Sequence, residues 1–114
     1  MKVLIVDDNR QARQMIRHYL CEVSDEFREC ADGADAVRAY TDFQPDWVLM
    51  DYEMKQINGL VATRLIIADF PEAKILIVTN YDEQDLRRAA LEAGACGYVL
   101  KDDLLSLHLF LKGH

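Results

Sequence analysis

Long apolar runs are absent from this sequence, and no stretch approaches the roughly 18 apolar residues that a membrane-spanning helix needs. The small residues of a signal-peptide cleavage site do not follow the first apolar run either. The three cysteines, Cys21, Cys30 and Cys96, have no CxxC or metal-type spacing, which favours free thiols buried as small apolar side chains in a reducing compartment. These absences predict a cytoplasmic protein.

Basic residues are outnumbered: 13 Lys and Arg stand against 20 Asp and Glu, giving a formal net charge of −7. A surface of this sign repels the phosphates of nucleic acids and the anionic head groups of membranes. Apolar residues make up 51% of the chain, which is enough for one compact core. We therefore expect one domain over residues 1–114, with no direct nucleic-acid or membrane binding and no output domain in this chain.

Short apolar runs alternate with amphipathic stretches along the chain. Four of these runs predict buried strands, and a weaker alternation predicts an edge strand that comes second. The predicted strands cover residues 3–6, 26–31, 47–50, 75–78 and 96–100. The predicted helices cover residues 10–22, 33–43 and 59–70, then a segment that begins at Asp82 and ends at Gly94, and a short one that begins at Asp102 or Asp103.

Five strands that alternate with five helices predict an α/β fold, a doubly wound (βα)5 parallel sheet covered on both faces. The weak second strand belongs at an edge, which favours the flavodoxin-like strand order 2-1-3-4-5. In the first helix, Asn9 is the predicted N-cap, and Met15, Ile16 and Leu20 lie on the apolar stripe.

Each strongly apolar strand is followed at once by a polar residue. Asp7 and Asp8 follow the first strand, Asp51 the third, Thr79 the fourth and Lys101 the fifth. The carboxyl ends of parallel strands meet at one edge of the sheet, near the point where the strand order reverses. Three carboxylates and a lysine at these positions are more typical of a functional site than of ordinary loop starts.

The residue types indicate phosphoryl chemistry. Asp7, Asp8 and Asp51 would repel one another, and a hard divalent cation such as Mg²⁺ relieves that repulsion. A carboxylate can also act as a nucleophile and form an acyl phosphate. Lys101 would supply a positive charge and Thr79 a hydroxyl donor, which together stabilise a transferring phosphoryl group.

Four segments in this order and spacing resemble the receiver domains of response regulators in two-component signalling. They are Val6-Asp7-Asp8-Asn9, residues 49–54, Val78-Thr79 and residues 97–101. The resemblance covers the whole chain. It implies a phosphoacceptor domain, not an enzyme, which takes its phosphoryl group from a sensor histidine kinase or a phosphotransfer protein and hydrolyses it by itself.

The resemblance also implies roles for single residues. Asp51 would be the phosphoacceptor, with Lys101 and Thr79 as its catalytic partners. Asp8, Asp51 and the backbone carbonyl of Glu53 would bind Mg²⁺ directly, and Asp7 would act mainly through water.

Two further pairs of residues have implied roles. Thr79 and Tyr98 would form the hydroxyl–aromatic switch pair. Glu53 and Tyr81 occupy positions that flank the path of the hydrolytic water in the family. The bulky Tyr81 is therefore predicted to lengthen the lifetime of the acyl phosphate.

Three features depart from the family pattern. Lys55 replaces a usual proline, which removes a restraint on the acceptor loop, and Asn80 replaces a commonly small residue beside the phosphoryl pocket. The last helix carries more leucines than one buried stripe can hold, which predicts an interface. We expect a homodimer, or a docked output partner, through residues 83–111, strengthened by phosphorylation. The alternative is a receiver fragment cut from a DNA-binding transcriptional regulator.

Two other protein classes on related folds fit less well. An aspartyl-nucleophile phosphatase needs an acid at position 9, where this chain has Asn9. A flavin electron carrier needs a phosphate-binding loop rich in Gly, Ser or Thr after the first strand, and Asn9-Arg10-Gln11 is not one.

Overall fold

The computed structural model describes residues 1–112. The strands are β1 (Lys2–Val6), β2 (Glu26–Cys30), β3 (Trp47–Met50), β4 (Ile75–Thr79) and β5 (Gly97–Leu100). The helices are α1 (Arg10–Leu20), α2 (Ala36–Phe43) preceded by a 3-10 turn (Gly33–Asp35), α3 (Gly59–Asp69), α4 (Gln84–Ala93) and α5 (Ser106–Lys112).

The strands form one parallel sheet in the order β2-β1-β3-β4-β5, so the predicted fold and strand order are confirmed. The strand order reverses at β1, which pairs with β2 on one side and β3 on the other. Val6 lies opposite Met50, and Thr79 lies opposite Leu100. The ends of β1 and β3 are level with each other, as are those of β4 and β5, and β4 extends two residues beyond Met50, which lies opposite Ile77. The residues that follow these strands share one edge of the sheet.

Both faces of the sheet are buried. Alternate residues of a strand point to opposite faces, so Leu4 and Val6 pack with α2, α3 and α4, whereas Val3 and Ile5 pack with α1 and α5. This explains why β1, β3 and β4 read as continuous apolar runs. β2 lies at the edge and alternates between exposed and less exposed residues, as its weaker pattern predicts.

The structure corrects two predicted helix starts. α4 begins at Gln84 with Glu83 as its N-cap residue, because the Asp82 carboxylate pairs with Arg87 at 3.1 Å instead of capping the helix. α5 begins at Ser106, and the chain from Lys101 to Leu105 consists mainly of turns. Asn9 caps α1 as predicted, and its side chain accepts a hydrogen bond from the backbone of Ala12.

Some burial expectations are wrong. Met15 is exposed, although Ile16 and Leu20 of the same predicted stripe are buried. Of the three free cysteines only Cys30 is buried, while Cys21 and Cys96 lie at the surface.

The leucines in and just before α5 are divided between buried and exposed positions, as their excess over one buried stripe predicts. Leu107 and Leu111 are buried together with Leu104, which lies just before the helix. Leu105 and Leu109 point away from the core and are 67% and 69% exposed. No helix among residues 1–112 is long and apolar enough to cross a membrane.

A glycine in β5 lets α5 pack closely on the sheet. A Cβ added to Gly97 would lie 2.6 Å from the ring of Phe110, which is well inside van der Waals contact. The Phe110 ring therefore rests on the bare backbone of β5, at a position where a larger residue would push the helix away.

Candidate functional site

The residues that follow the strands meet as the sequence predicts. The Asp51 backbone N–H donates to the carbonyl of Val6 at 2.8 Å, which sets the ends of β3 and β1 side by side. The Lys101 N–H donates to the carbonyl of Thr79 at 2.8 Å and does the same for β5 and β4. The two pairs of strands thus bring all five predicted polar residues to one cleft.

Three carboxylates and one ammonium group lie together in this cleft. Oxygens of Asp7, Asp8 and Asp51 all lie within 4.8 Å of one another. Asp7 is 1% exposed and Asp51 5%, whereas Asp8 lies at the opening. Lys101 Nζ lies 2.9 Å from Asp7 Oδ2 and 3.2 Å from Asp51 Oδ1. One lysine thus faces three acids, so the cluster carries excess negative charge.

The electrostatics of Asp51 reflect this excess. Burial and the neighbouring Asp7 charge raise the pKa of Asp51 to about 6, although Lys101 opposes the shift. Burial acts to lower the pKa of Lys101, but its contacts with Asp7 and Asp51 outweigh that effect and raise it. Lys101 is therefore held as a cation beside an acid whose ionisation is unfavourable without further positive charge.

These donors fit Mg²⁺. The carboxylates are hard oxygen ligands, two of them are buried, and their shared charge exceeds what Lys101 neutralises. The Glu53 side chain is engaged elsewhere, because its carboxylate accepts a hydrogen bond from the Tyr81 hydroxyl. A role for the backbone carbonyl of Glu53 as an ion ligand stays a prediction.

The loop between β3 and α3 is held against Asp51 by a glycine. A Cβ on Gly59 would lie 2.0 Å from the Asp51 carbonyl oxygen, so only glycine allows the start of α3 to approach this closely. The Gly59 N–H donates to the carbonyl of Tyr52 at 2.8 Å. Asn58 caps the helix by accepting hydrogen bonds from the backbone N–H groups of Leu60 and Val61.

The middle of the same loop is also anchored. Met54 and Ile57 pack against the core, and both approach Gly33 at the start of the second helical segment. Lys55 itself is exposed. The restraint lost with the absent proline is therefore replaced by side-chain packing on either side of Lys55.

The loop between β4 and α4 forms the opposite wall of the cleft. Hydrogen bonds from tyrosine hydroxyls hold this loop in place. Thr79 is buried, and its hydroxyl oxygen accepts a hydrogen bond from the Tyr81 N–H at 3.3 Å. The Tyr81 hydroxyl donates to Glu53, which raises its pKa, and the Tyr98 hydroxyl donates to the Tyr81 carbonyl. Tyr81 thus links Thr79, Glu53 and Tyr98, the other residues to which the family resemblance gives switch and lifetime roles.

The residues that line the cleft include six of the eight predicted site residues, all but Asp7 and Tyr98, and one of the departures from the family pattern. They are Asp8, Asn9, Asp51, Glu53, Thr79, Asn80, Tyr81 and Lys101. Sequence reasoning missed Gly59, although Asn-Gly marks the start of a helix there. It also missed Arg13, whose guanidinium reaches the Asp7 carbonyl across the first turn of α1.

Comparison with known proteins agrees with this geometry. The family model described as the response regulator receiver domain matches residues 3–109. The transcriptional regulatory protein YhcZ of Bacillus subtilis (strain 168) is 36% identical over 104 residues, which cover 90% of this chain and 49% of that protein. The oxygen regulatory protein NreC of Staphylococcus aureus (strain JH9) is 36% identical, covering 99% of this chain and 56% of that protein.

A solved structure is similar over nearly the whole chain. It is a two-component response regulator of the LuxR family from Aurantimonas sp. SI85-9A1, with a TM-score of 0.84 and 32% identity, covering 99% of this chain and 86% of that chain. The chain therefore belongs to the response regulator receiver domain family, whose members are phosphoacceptor signalling domains that typically bind Mg²⁺ and interact with histidine kinases. It spans about half the length of the curated relatives it matches.

Proposed function

We propose that this domain accepts a phosphoryl group on Asp51 from a sensor histidine kinase or a phosphotransfer protein, in a reaction that depends on Mg²⁺. The observation that carries the proposal is the cluster of Asp7, Asp8 and Asp51, whose oxygens lie within 4.8 Å of one another beside Lys101. Asp7 and Asp51 both contact Lys101, but only Asp51 of the two lines the open cleft, which supports Asp51 as the nucleophile.

The chemistry follows from the positions of the side chains. An Asp51 carboxylate oxygen attacks the phosphorus atom, the new P–O bond forms as the P–N bond of the phosphohistidine breaks, and the leaving imidazole takes up a proton. Lys101 balances the charge of the phosphoryl oxygens, and the Thr79 hydroxyl donates a hydrogen bond to one of them. Asp8, Asp51 and the Glu53 carbonyl would hold Mg²⁺ directly, with Asp7 acting mainly through water, and the ion would supply further positive charge beside the phosphoryl oxygens.

Intact-mass spectrometry tests the proposal. With acetyl phosphate and Mg²⁺ the protein should gain one phosphoryl group, and excess EDTA should prevent this. The Asp51→Asn variant should gain none, whereas Asp82→Asn, which removes an exposed acid elsewhere, should behave like the wild type. An adduct that persists in Asp51→Asn would exclude Asp51 as the acceptor.

We further propose that the domain hydrolyses its own acyl phosphate and that Tyr81 slows this step. The Tyr81 ring lines the cleft, and its hydroxyl is tied to Glu53 across the opening. A side chain in this position restricts the approach of water to the phosphoryl group. The phosphorylated state of a cytoplasmic regulator would then persist for longer.

The proposed output is a homodimer through residues 83–111 that strengthens on phosphorylation. Thr79 would turn toward the phosphoryl group and Tyr98 would move inward, which shifts the α4-β5-α5 face between two states. The exposure of Leu105 and Leu109 supports an interface on this face.

Sedimentation with and without beryllofluoride tests the proposed dimer. The double variant Leu105→Ser with Leu109→Ser should abolish dimers. Leu65→Ser, which changes an exposed leucine of α3, should leave them intact.

The names of the relatives favour a second candidate, a receiver that belongs to a DNA-binding transcriptional regulator. YhcZ is called a transcriptional regulatory protein, and this chain spans about half of its length. In that case the leucine face would meet another domain, and the receiver would be monomeric in both states in the sedimentation experiment. With a net charge of −7, the receiver itself would not contact nucleic acid in either case.

A further inference from the structure

Arg13 is a largely buried cation that contacts the backbone at the start of the acidic pair. It lies in the first turns of α1, and its side chain is only 14% exposed. One terminal nitrogen donates to the backbone carbonyl of Asp7 at 2.6 Å, and Nε donates to Glu29 of β2 at 2.8 Å. A single side chain thus ties the first helix, the edge strand and the loop that carries the acids.

The Asp7 carbonyl belongs to the peptide that joins Asp7 to Asp8. β1 ends at Val6, so this carbonyl lies beyond the regular strand. The Asp7 N–H donates to the carbonyl of Cys30 at 2.9 Å, and Asp7 Oδ1 accepts a hydrogen bond from the Asn9 N–H at 2.8 Å. Both neighbouring groups are therefore fixed, and the orientation of the intervening peptide depends on the partner of its carbonyl oxygen.

Glu29 holds the Arg13 guanidinium in place. Its second carboxylate oxygen accepts a hydrogen bond from Arg17 at 2.7 Å. The bond from Arg17 lowers the pKa of Glu29, and the bond from Arg13 adds to this, although partial burial opposes them. Glu29 is therefore ionised at neutral pH and offsets the charge of Arg13, which acts on Asp7 as a directed donor and not as a free positive charge.

We propose that Arg13 is a positioning residue for the metal-binding acids: by fixing the peptide between Asp7 and Asp8, it holds both carboxylates toward Asp51 and sets the affinity for Mg²⁺ without touching the ion. This inference rests on the proposed role of Asp7 and Asp8 in binding Mg²⁺. Groups that orient metal ligands from one layer further out typically affect metal affinity 10- to 100-fold.

The competing explanation is a structural ion pair that only fastens α1 to β2. Arg17 provides the matched control, because it extends from the same helix to the same Glu29 and carries the same charge. It is 48% exposed and bonds Glu29, whereas Arg13 bonds both Glu29 and the Asp7 carbonyl. A purely structural role predicts that Arg13→Gln and Arg17→Gln both leave the affinity for Mg²⁺ unchanged, whatever their effects on stability.

Calorimetric titration with MgCl₂ separates these explanations without any phosphoryl donor. Arg13→Gln should weaken Mg²⁺ binding by about 10-fold, while Arg17→Gln should stay within about twofold of the wild type, since it lacks the bond to Asp7. Arg13→Lys, which keeps one donor, should recover part of the affinity. The apo-state amide NMR shifts of Asp8 and Asn9 should move in Arg13→Gln and not in Arg17→Gln.

The outcomes are distinguishable. If the wild type binds Mg²⁺ and Arg13→Gln binds it with the same affinity as Arg17→Gln, the positioning role is wrong while the metal site stands. If the wild type does not bind Mg²⁺, the proposed metal site fails and this inference fails with it. Should Arg13→Gln not fold, Arg13→Lys with unchanged Mg²⁺ affinity and an unchanged Asp8 amide shift would overturn the inference.

Discussion

The two walls of the cleft are held by different kinds of contact. The wall that carries the acids is fixed from within: Gly59 lies against the Asp51 carbonyl, and the largely buried Arg13 bonds the Asp7 carbonyl. The opposite wall, residues 80–83, is exposed and is held through tyrosine hydroxyls near the surface.

This difference separates two requirements of a phosphorylation switch. The charged groups must be placed before the reaction, because positioning supplies most of the catalysis of phosphoryl transfer. The reporting segment must rearrange at small cost, and single hydrogen bonds near the surface contribute only about 1 kcal/mol each. The following predictions test this division, from the largest expected effect to the smallest.

Gly59→Ala should have the largest effect, because it breaks the acid-bearing wall. Its Cβ would lie 2.0 Å from the Asp51 carbonyl oxygen, a backbone atom directly after β3 that can move only if the main chain shifts. We expect a loss of about 3 kcal/mol in the free energy of unfolding, measured with urea. Gly33→Ala, where the nearest atoms are at 3.0 Å, should cost clearly less. Equal losses would mean that this wall is not tightly constrained.

Asp51→Asn should stabilise the protein in EDTA at neutral pH. The pKa of Asp51 is raised from 3.8 to about 6 in the folded state, so folding binds its proton more tightly. The stability gained from that proton is complete below about pH 4 and is lost as the pH rises through about 6. At pH 7.5 the ionised Asp51 thus costs on the order of 3 kcal/mol, which the asparagine removes.

The pH dependence isolates this effect from other acids. The advantage of Asp51→Asn over the wild type in urea unfolding should shrink between pH 7 and pH 4.5. Asp69→Asn, which removes an exposed acid from the end of α3, should show no such pH-dependent difference. A constant advantage across this range would mean that Asp51 is not destabilised by its charge.

Tyr81→Ala should shorten the acyl-phosphate lifetime severalfold, equivalent to about 1 kcal/mol in the barrier. The alanine removes the ring that lines the cleft, whereas Tyr81→Phe removes only the bond to Glu53. The decay of the phosphorylated protein after removal of the donor, monitored by intact-mass spectrometry, separates the effect of the ring from that of the hydroxyl. An unchanged rate in Tyr81→Ala would eliminate the screening role, and equal acceleration in both would assign it to the hydroxyl.

Tyr98→Phe should have the smallest effect on stability, about 0.5–1 kcal/mol, because it removes one hydrogen bond to a carbonyl that water can reach. Its Mg²⁺ affinity, measured by calorimetry, should equal that of the wild type, since the bond lies on the other wall. Tyr52→Phe removes a hydroxyl from a tyrosine whose ring packs edge-on against Tyr81, and it serves as the control. Weakened Mg²⁺ binding in Tyr98→Phe would show that the walls are coupled.

The sequence predicts the sheet and the convergence of the acids well, because both follow from local patterns. The apolar runs stop where the strands stop, so Asp7, Asp51 and Lys101 could be placed at one edge without knowing any distance. The weak alternation of β2 placed that strand at the edge for the same reason.

The predictions that failed did so for different physical reasons, and one of them is a side chain with two available partners. Asp82 is a good helix-capping residue in isolation, but its carboxylate pairs with Arg87, so α4 begins later. Met15 has the spacing of a buried residue, yet the stripe on α1 is narrower than the pattern suggests. Gly59 and Arg13 were missed because their roles depend on approach between segments, which no local pattern encodes.

The packing of Phe110 on Gly97 restricts how this sequence can evolve. Alanine at position 97 would meet the ring at 2.6 Å, whereas a smaller residue at position 110 would leave a gap over β5. Each substitution alone is expected to lower the stability, whereas together the larger residue at position 97 would fill the gap left by the smaller one at position 110. The two positions are therefore epistatic: a lineage that leaves the Gly–Phe pairing must pass through a less stable intermediate or change both residues at once.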